Sequence, residues 1–244
     1  MRTIKLTIEY DGTDFLGWQI QKKGPTVQHV LEGAIARLTS RETRLTGAAR
    51  TDSGVHAKGQ SAHFKTLSHL PARNIVLGIN AYLPDSVAVV CAEEVKSSFH
   101  ARISARSKRY QYRILQRPAR SPLVARFSWH CPYRLNVALM RRELPALLGR
   151  HDFRSFQAAD KKERSSTRRI IDISLRRRGE ELLFEIEADG FLYHMVRNIV
   201  GTLVEIGRGR FKPGYMSFLL KAKNRALAGP TAPACGLSLL HVTY

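Results

Sequence analysis

The chain has 244 residues, 43% of them hydrophobic and 25% charged, with 40 Lys plus Arg against 20 Asp plus Glu. That length buries a sizeable core in one or two domains, and its longest apolar run, Val87 to Ala92, falls far short of the about 20 residues a bilayer crossing needs. The formal charge of +20 points to a polyanionic partner, and to nucleic acid before membrane, because the basic residues are spread along the whole chain instead of forming one basic amphipathic helix.

Cys91, Cys131 and Cys235 are scattered and odd in number, which argues against a disulfide framework. Neither they nor the nine histidines show metal-ligand spacing, so no metal is expected. The N-terminus has no signal-peptide core, and the expected location is cytoplasmic.

In chain order, alternation of Ile4, Leu6, Ile8 and Tyr10 predicts a strand over 3–10. Apolar residues from Val27 to Leu38 recur at helical spacing, predicting a helix over 26–39. Short strands are expected near Thr43–Gly47 and over 58–65. A second helix opens at Leu70-Pro71 and is closed by Pro84, and residues 87–95 read as a strand. The order is strand, helix, strand, strand, helix, strand, the ferredoxin-like arrangement.

The second half repeats it. Residues 108–116 read as a strand, and Asn136 caps a helix towards Gly149 that Pro145 should kink. Ile171, Ile173 and Leu175 alternate in one strand, a turn follows at Arg177 to Glu180, and Leu182, Phe184 and Ile186 alternate in the next. Tyr193 to Val204 makes a helix, a shorter helix follows Pro213, and residues 236–244 form the last strand. The expectation is an α+β chain of two ferredoxin-like halves with antiparallel sheets, 1–104 and 105–244, joined around a central basic cleft. No low-complexity linker separates them.

The segment Gly47-Ala48-Ala49-Arg50-Thr51-Asp52-Ser53-Gly54-Val55-His56-Ala57 displays one carboxylate in a basic chain. Asp-Ser-Gly is also an ordinary turn sequence. Arg50 and the positive surroundings favour an ionised Asp52, fit to act as base or nucleophile. The stretch from Gly54 to Ser61 lacks the lysine of a phosphate loop, and His56 and His63 read as structural.

On the strand Lys108 to Arg113, Tyr110 and Tyr112 share one face, while Arg109, Gln111 and Arg113 share the other. This pattern fits a core face backed by a solvated basic face. It equally fits one tyrosine lining a cleft and stacking on a base. Phe99, His100 and Arg102, followed by Arg106 to Arg109, make a basic, partly aromatic loop suited either to solvent or to phosphate. The run Lys161 to Arg164 with Arg168 and Arg169 is similar. Arg197 sits beside the apolar stripe of its helix and calls for a carboxylate, with Asp52, Glu205 and Asp189 as candidates.

The blocks Arg50 to Ala57, Phe99 to Arg102, Arg109 to Tyr112 and His194 to Gly201 resemble those of the tRNA pseudouridine synthase A family. So do Glu9 to Gly12, Gly17 to Gln19 and Gly236-Leu237. The resemblance runs nearly the full chain in the family's order. It implies isomerisation of uridine to pseudouridine at positions 38, 39 and 40 of the tRNA anticodon stem-loop, with no cofactor or metal, by a homodimer whose subunits share one tRNA. It also implies that Asp52 is the nucleophile, Tyr110 stacks on the target base, Arg197 pairs with Asp52, and Arg50 and Arg102 contact tRNA. Phe99 and His100, in the same loop as Arg102, are expected to bind tRNA with it. Ala49 stands where the family has glycine, and Asp160 to Arg164 is more basic than the family's loop. Two other readings fit the charge: a non-catalytic RNA-binding protein of two ferredoxin-like modules, and a ribosome-associated assembly factor.

Overall fold

The computed structural model describes residues 1–159 and 165–244. It divides the chain into two compact units, Met1–Arg106 with Ser238–Tyr244, and Ser107–Leu237. The last seven residues, Ser238–Tyr244, cluster with the first unit.

The first unit contains β1 (Arg2–Tyr10), α1 (Val27–Thr39), β2 (Thr46–Gly47), β3 (His56–Thr66), α2 (Ala72–Asn80) and β4 (Val87–Val95). Strands pair in the order β4-β1-β3-β2, each pair antiparallel, which is the split βαβ pattern of a ferredoxin-like unit. β1 keeps its predicted alternation, burying Ile4, Leu6, Ile8 and Tyr10 against Leu31 and Ile35 of α1 and Ile75 and Ile79 of α2 in one core.

β2 is far shorter than the reading of 43–47, and the edge of β3 that it leaves open is taken by β10 (Leu237–Thr243). There Ser238 pairs with His56 and Leu239 with Ala57 in parallel. β3 is buried over most of its length. The Tyr244 hydroxyl joins β3 to the 99–102 loop, donating to Ala101 O at 2.9 Å and lying 2.7 Å from the Ser61 hydroxyl, which can donate back to it. Burial pushes the Tyr244 phenol up to about 12.

The second unit contains β5 (Ser107–Leu115), β6 (Trp129–His130), α3 (Val137–Glu143), β7 (Gly149–Asp152), β8 (Thr167–Arg178), β9 (Glu181–Ala188), α4 (Met195–Gly207) and α5 (Tyr215–Ala222). β5, β9, β8 and β7 are successive antiparallel neighbours, and the two-residue β6 lies parallel to β5. Asn136 caps α3 as expected, accepting from Leu139 N. The helix ends at Glu143, before Gly149, because Pro145 lacks the N–H an α-helix needs there, and Leu144–Leu147 tightens to a 3-10 turn.

Glu143 is buried and accepts from Gly214 N and Met216 N, the orphan donors opening α5. In β8 a bulge between Ile170 and Asp172 changes the register. Ile170 is therefore 1% exposed and Ile171 50% exposed, so the alternation read through Ile171 switches face at the bulge.

Candidate active site

Asp52 lies in the connection between β2 and β3, whose position is set from the other end of the unit. Thr26 caps α1, and the first free helix donors, Val27 N and Gln28 N, bond Gly17 O and Trp18 O. Trp18 N in turn donates to Thr51 O at 3.1 Å. Gly17 holds φ +96°, and a Cβ there would lie 2.6 Å from Thr51 O and 3.0 Å from Asp52 C, so backbone meets backbone at this point. The Thr51 hydroxyl is within 2.7 Å of the buried Tyr10 hydroxyl, whose pKa burial raises.

Asp52 O accepts from Val55 N at 3.2 Å, and Gly54 has φ +75°, the positive φ of a type II turn. The turn reading of Asp-Ser-Gly is therefore correct as geometry. Phe15 O accepts from Gly54 N and Ser53 Oγ and holds that turn from outside. Gln60 clamps the start of the loop through both ends of its amide, to Ala49 N and Ala49 O. Ala49 is buried in that clamp without displacing it. The result is a half-buried Asp52 beside an exposed Arg50 on a loop fixed along its length.

The two histidines are structural, as read. Both are buried. His56 Nδ1 accepts from Gly12 N at 3.0 Å, and His63 Nδ1 accepts from Ala101 N at 3.1 Å. His63 belongs to a cluster with Phe99, His100 and Tyr244. His100 Nδ1 accepts from Arg102 N and Ile103 N. Phe99 and His100 thus shape the loop and are half-buried in it, whereas Arg102 is exposed.

In the second unit the two tyrosines of β5 separate. Tyr112 is wholly buried, donates to Pro233 O at 2.7 Å and meets Trp129 edge-on. Burial raises its pKa, with Cys235 adding to the shift and Arg197 opposing it. Tyr112 is core. Tyr110 is 8% exposed and packs edge-on against Phe191 at 5.1 Å, which leaves it as the stacking candidate.

The opposite face of β5 is not a solvated basic surface. Arg109 pairs with Glu187, Glu185 and Asp172, Arg113 with Glu181, and Gln111 donates to Glu185. Burial works against the Arg109 charge, but bonds from Glu187 and Asp172 outweigh it and raise its pKa. These cations are neutralised by β9 and β8, so phosphate contact is assigned elsewhere.

Arg197, half-buried near the N-terminus of α4, donates through Nε to Ala232 O at 2.8 Å, and its own carbonyl accepts from Ala232 N. The alternatives weighed for its charge are engaged by others: Glu205 by Arg208 and Arg210, and Asp189 by Arg169 N. Phe191 and Ala232 were missed by the sequence reading, and no local pattern marks either. The basic run 161–164 lies outside the described residues. Among the described residues no group of three or more His, Cys, Asp or Glu is placed to hold a metal ion, and no helix is long and apolar enough to cross a membrane.

A family model described as tRNA pseudouridine synthase matches residues 6–103 and 144–244. Similar curated proteins include tRNA pseudouridine synthase A of Thermoanaerobacter sp. (strain X514), 45% identical over 244 residues and covering all of both chains. That of Pelobacter propionicus is 46% identical with the same coverage, and tRNA pseudouridine synthase A 2 of Clostridium perfringens is 43% identical, again over the whole of both chains. A solved Cbf5-Nop10-Gar1 complex aligns with 97% of this chain and 47% of the matched chain, at 12% identity and a TM-score of 0.35. Family match and full-length identity lead to one conclusion: the chain belongs to the tRNA pseudouridine synthase family, isomerases that convert uridine to pseudouridine.

Proposed function

We propose that the enzyme isomerises uridines 38, 39 and 40 of the tRNA anticodon stem-loop, with Asp52 as the nucleophile. The observation that carries this is the Asp52 loop: a single carboxylate, half-buried on a backbone held by Gly17, Thr51, Phe15 and Gln60, within the block that carries the family resemblance. A nucleophile needs its attack geometry fixed before substrate arrives.

The N1–C1′ bond breaks, the base turns, and a C5–C1′ bond forms. No atom enters or leaves overall, so the chemistry asks for no cofactor. Asp52 attacks the sugar or adds to the base, Arg197 pairs with it and orients it, and Tyr110 stacks on the uracil. The bond made by Asp52 breaks again, and the C5 proton is lost to a base while N1 gains one, so the atoms balance. A paired uridine must first leave its helix at a cost of a few kcal/mol. Phosphate contacts offset that cost, with exposed Arg50 and Arg102 as the assigned cations and Phe99 and His100 shaping the loop that presents Arg102.

The enzyme works in the cytoplasm as a homodimer sharing one tRNA. Family membership favours catalysis over the non-catalytic RNA-binding alternative.

Asp52→Ala should abolish pseudouridine formation in unmodified tRNA while leaving the tRNA Kd within about threefold, and residual turnover in the purified variant would remove Asp52 from the mechanism. Site-resolved chemical mapping of the product reads positions 38 to 40 directly. Modification confined to another arm would refute the substrate assignment.

A further inference from the structure

Arg225 carries a charge for which the described residues offer no carboxylate. Its guanidinium is half-buried, and burial lowers its pKa. Every bond it makes is to a neutral oxygen: Nη1 to Ala228 O at 3.4 Å and Gly229 O at 3.0 Å, Nη2 to Asn198 Oδ1 at 3.0 Å and Thr231 Oγ1 at 3.1 Å. Partly burying a cation without a counter-ion is costly. What it obtains is a fixed loop.

The loop is residues 228–232, and each of its residues is tied. Ala228 and Gly229 are held by Arg225 through their carbonyls. Gly229 N donates to Thr202 Oγ1 at 3.0 Å, and Thr202 Oγ1 donates to Asn198 O at 2.7 Å. Pro230 O sits where a Cβ on Gly201 would lie, 1.7 Å away. Thr231 Oγ1 donates to Asn198 Oδ1 at 2.7 Å, and the Asn198 amide is anchored on its other side by Phe156 O at 2.8 Å. Asn198 and Thr202 are wholly buried. The chain of bonds ends at Ala232, whose N–H and C=O bracket Arg197: Ala232 N donates to Arg197 O at 3.1 Å, and Ala232 O accepts from Arg197 Nε at 2.8 Å.

A guanidinium fixed through Nε has its plane set, leaving the Nη edge to face a carboxylate. We infer that Arg225 is a positioning residue for Arg197: through Asn198, Thr231 and the 228–232 loop it fixes the Ala232 carbonyl that sets the Arg197 guanidinium. This rests on the assignment of Arg197 to the reacting site.

Arg225→Lys keeps the charge but cannot reach four oxygens with a planar fork. Its kcat on tRNA should fall about ten- to hundredfold, the loss expected when a group is displaced by about 1 Å, while KM and tRNA Kd stay within about twofold. The deciding measurement is a double-mutant cycle with Arg197→Lys. If Arg225 acts through Arg197, adding Arg225→Lys to Arg197→Lys lowers kcat by less than about twofold. A full additive loss, or a wild-type kcat for Arg225→Lys beside an impaired Arg197→Lys, overturns the inference and leaves the Arg197 assignment standing. A wild-type kcat for Arg197→Lys refutes that assignment itself. Should Arg225→Lys fail to fold, Thr231→Val takes its place in the same cycle. It keeps the side-chain shape, removes the hydroxyl joining Arg225 to Asn198, and carries the same expectation of a non-additive kcat loss.

Discussion

Two loops carry the central residues, and they are held by opposite means. The Asp52 loop is fixed mostly by backbone on backbone: Thr51 O against Trp18 N, Gly54 N against Phe15 O, and the bare Cα of Gly17 pressed on the peptide after Thr51. The 228–232 loop is fixed mostly by side chains, with Arg225, Asn198, Thr202 and Thr231 reaching its carbonyls, amides and hydroxyl. Backbone contact tolerates no added atom at its meeting points but is indifferent to side-chain chemistry elsewhere. A polar network is sensitive to the identity of each member, because removing one leaves the others buried and unsatisfied. Asp52 thus rests on steric rigidity, and Arg197 on chemical satisfaction.

The largest expected effect tests where the two means meet. At Gly201 in α4 the 228–232 loop is also held sterically. In an exposed helix Gly→Ala gains about 1 kcal/mol. Here the new Cβ would sit 1.7 Å from Pro230 O, and overpacking of this kind costs about 3 kcal/mol or more, so the clash wins. Gly201→Ala should therefore lower the urea midpoint, and a midpoint above wild type would show that the loop yields freely.

Gly17→Ala is the matching strike on the Asp52 loop. A left-handed φ costs an L-residue about 1–2 kcal/mol before the 2.6 Å approach to Thr51 O is counted. The displacement falls on the peptide joining Thr51 to Asp52. A kcat loss of about a hundredfold with little change in tRNA affinity is expected. Equal loss of kcat and affinity would instead mean that the whole unit had been perturbed.

The smallest effect concerns pH. Burial chiefly, with the neighbouring His100 and Lys65 charges, lowers the His63 pKa below its ordinary 6.5. The folded state therefore prefers neutral His63, and the stability tied to it is complete above about pH 6.5 and declines as pH falls from there towards the lowered value. Denaturant midpoints between pH 7.5 and 5.5 should fall for the wild type and fall less for His63→Asn, with identical slopes excluding this source.

Some of this was legible before any coordinates. The alternation of β1, the spacing of α1 with its Thr26 cap, and the interruption at Pro145 are local consequences of residue type. The Asp52 segment also declared itself, because its turn chemistry and its lone acid lie within a few residues of each other. Other features were not legible because they depend on what arrives from far along the chain. Arg109 and Arg113 read as a basic surface until β9 brings Glu187, Glu185 and Glu181 opposite them. Tyr110 and Tyr112 are equivalent by alternation and both are buried, and only the contacts of Tyr112 with Pro233 and Trp129 set it apart. The β8 bulge exchanges Ile171 for Ile170, a change of face that no alternation rule anticipates.

The sequence by itself determined most of the elements, the Asp52 turn and the excess of positive charge, since periodicity, turn chemistry and net charge are properties of short stretches or of composition. Only the tertiary structure decided which cations are already spent on neighbouring carboxylates, which tyrosine is available and why Gly201 carries no side chain. Those are questions of what lies within about 3–4 Å in space, and residues as far apart as Arg197 and Ala232 meet only when the chain has folded.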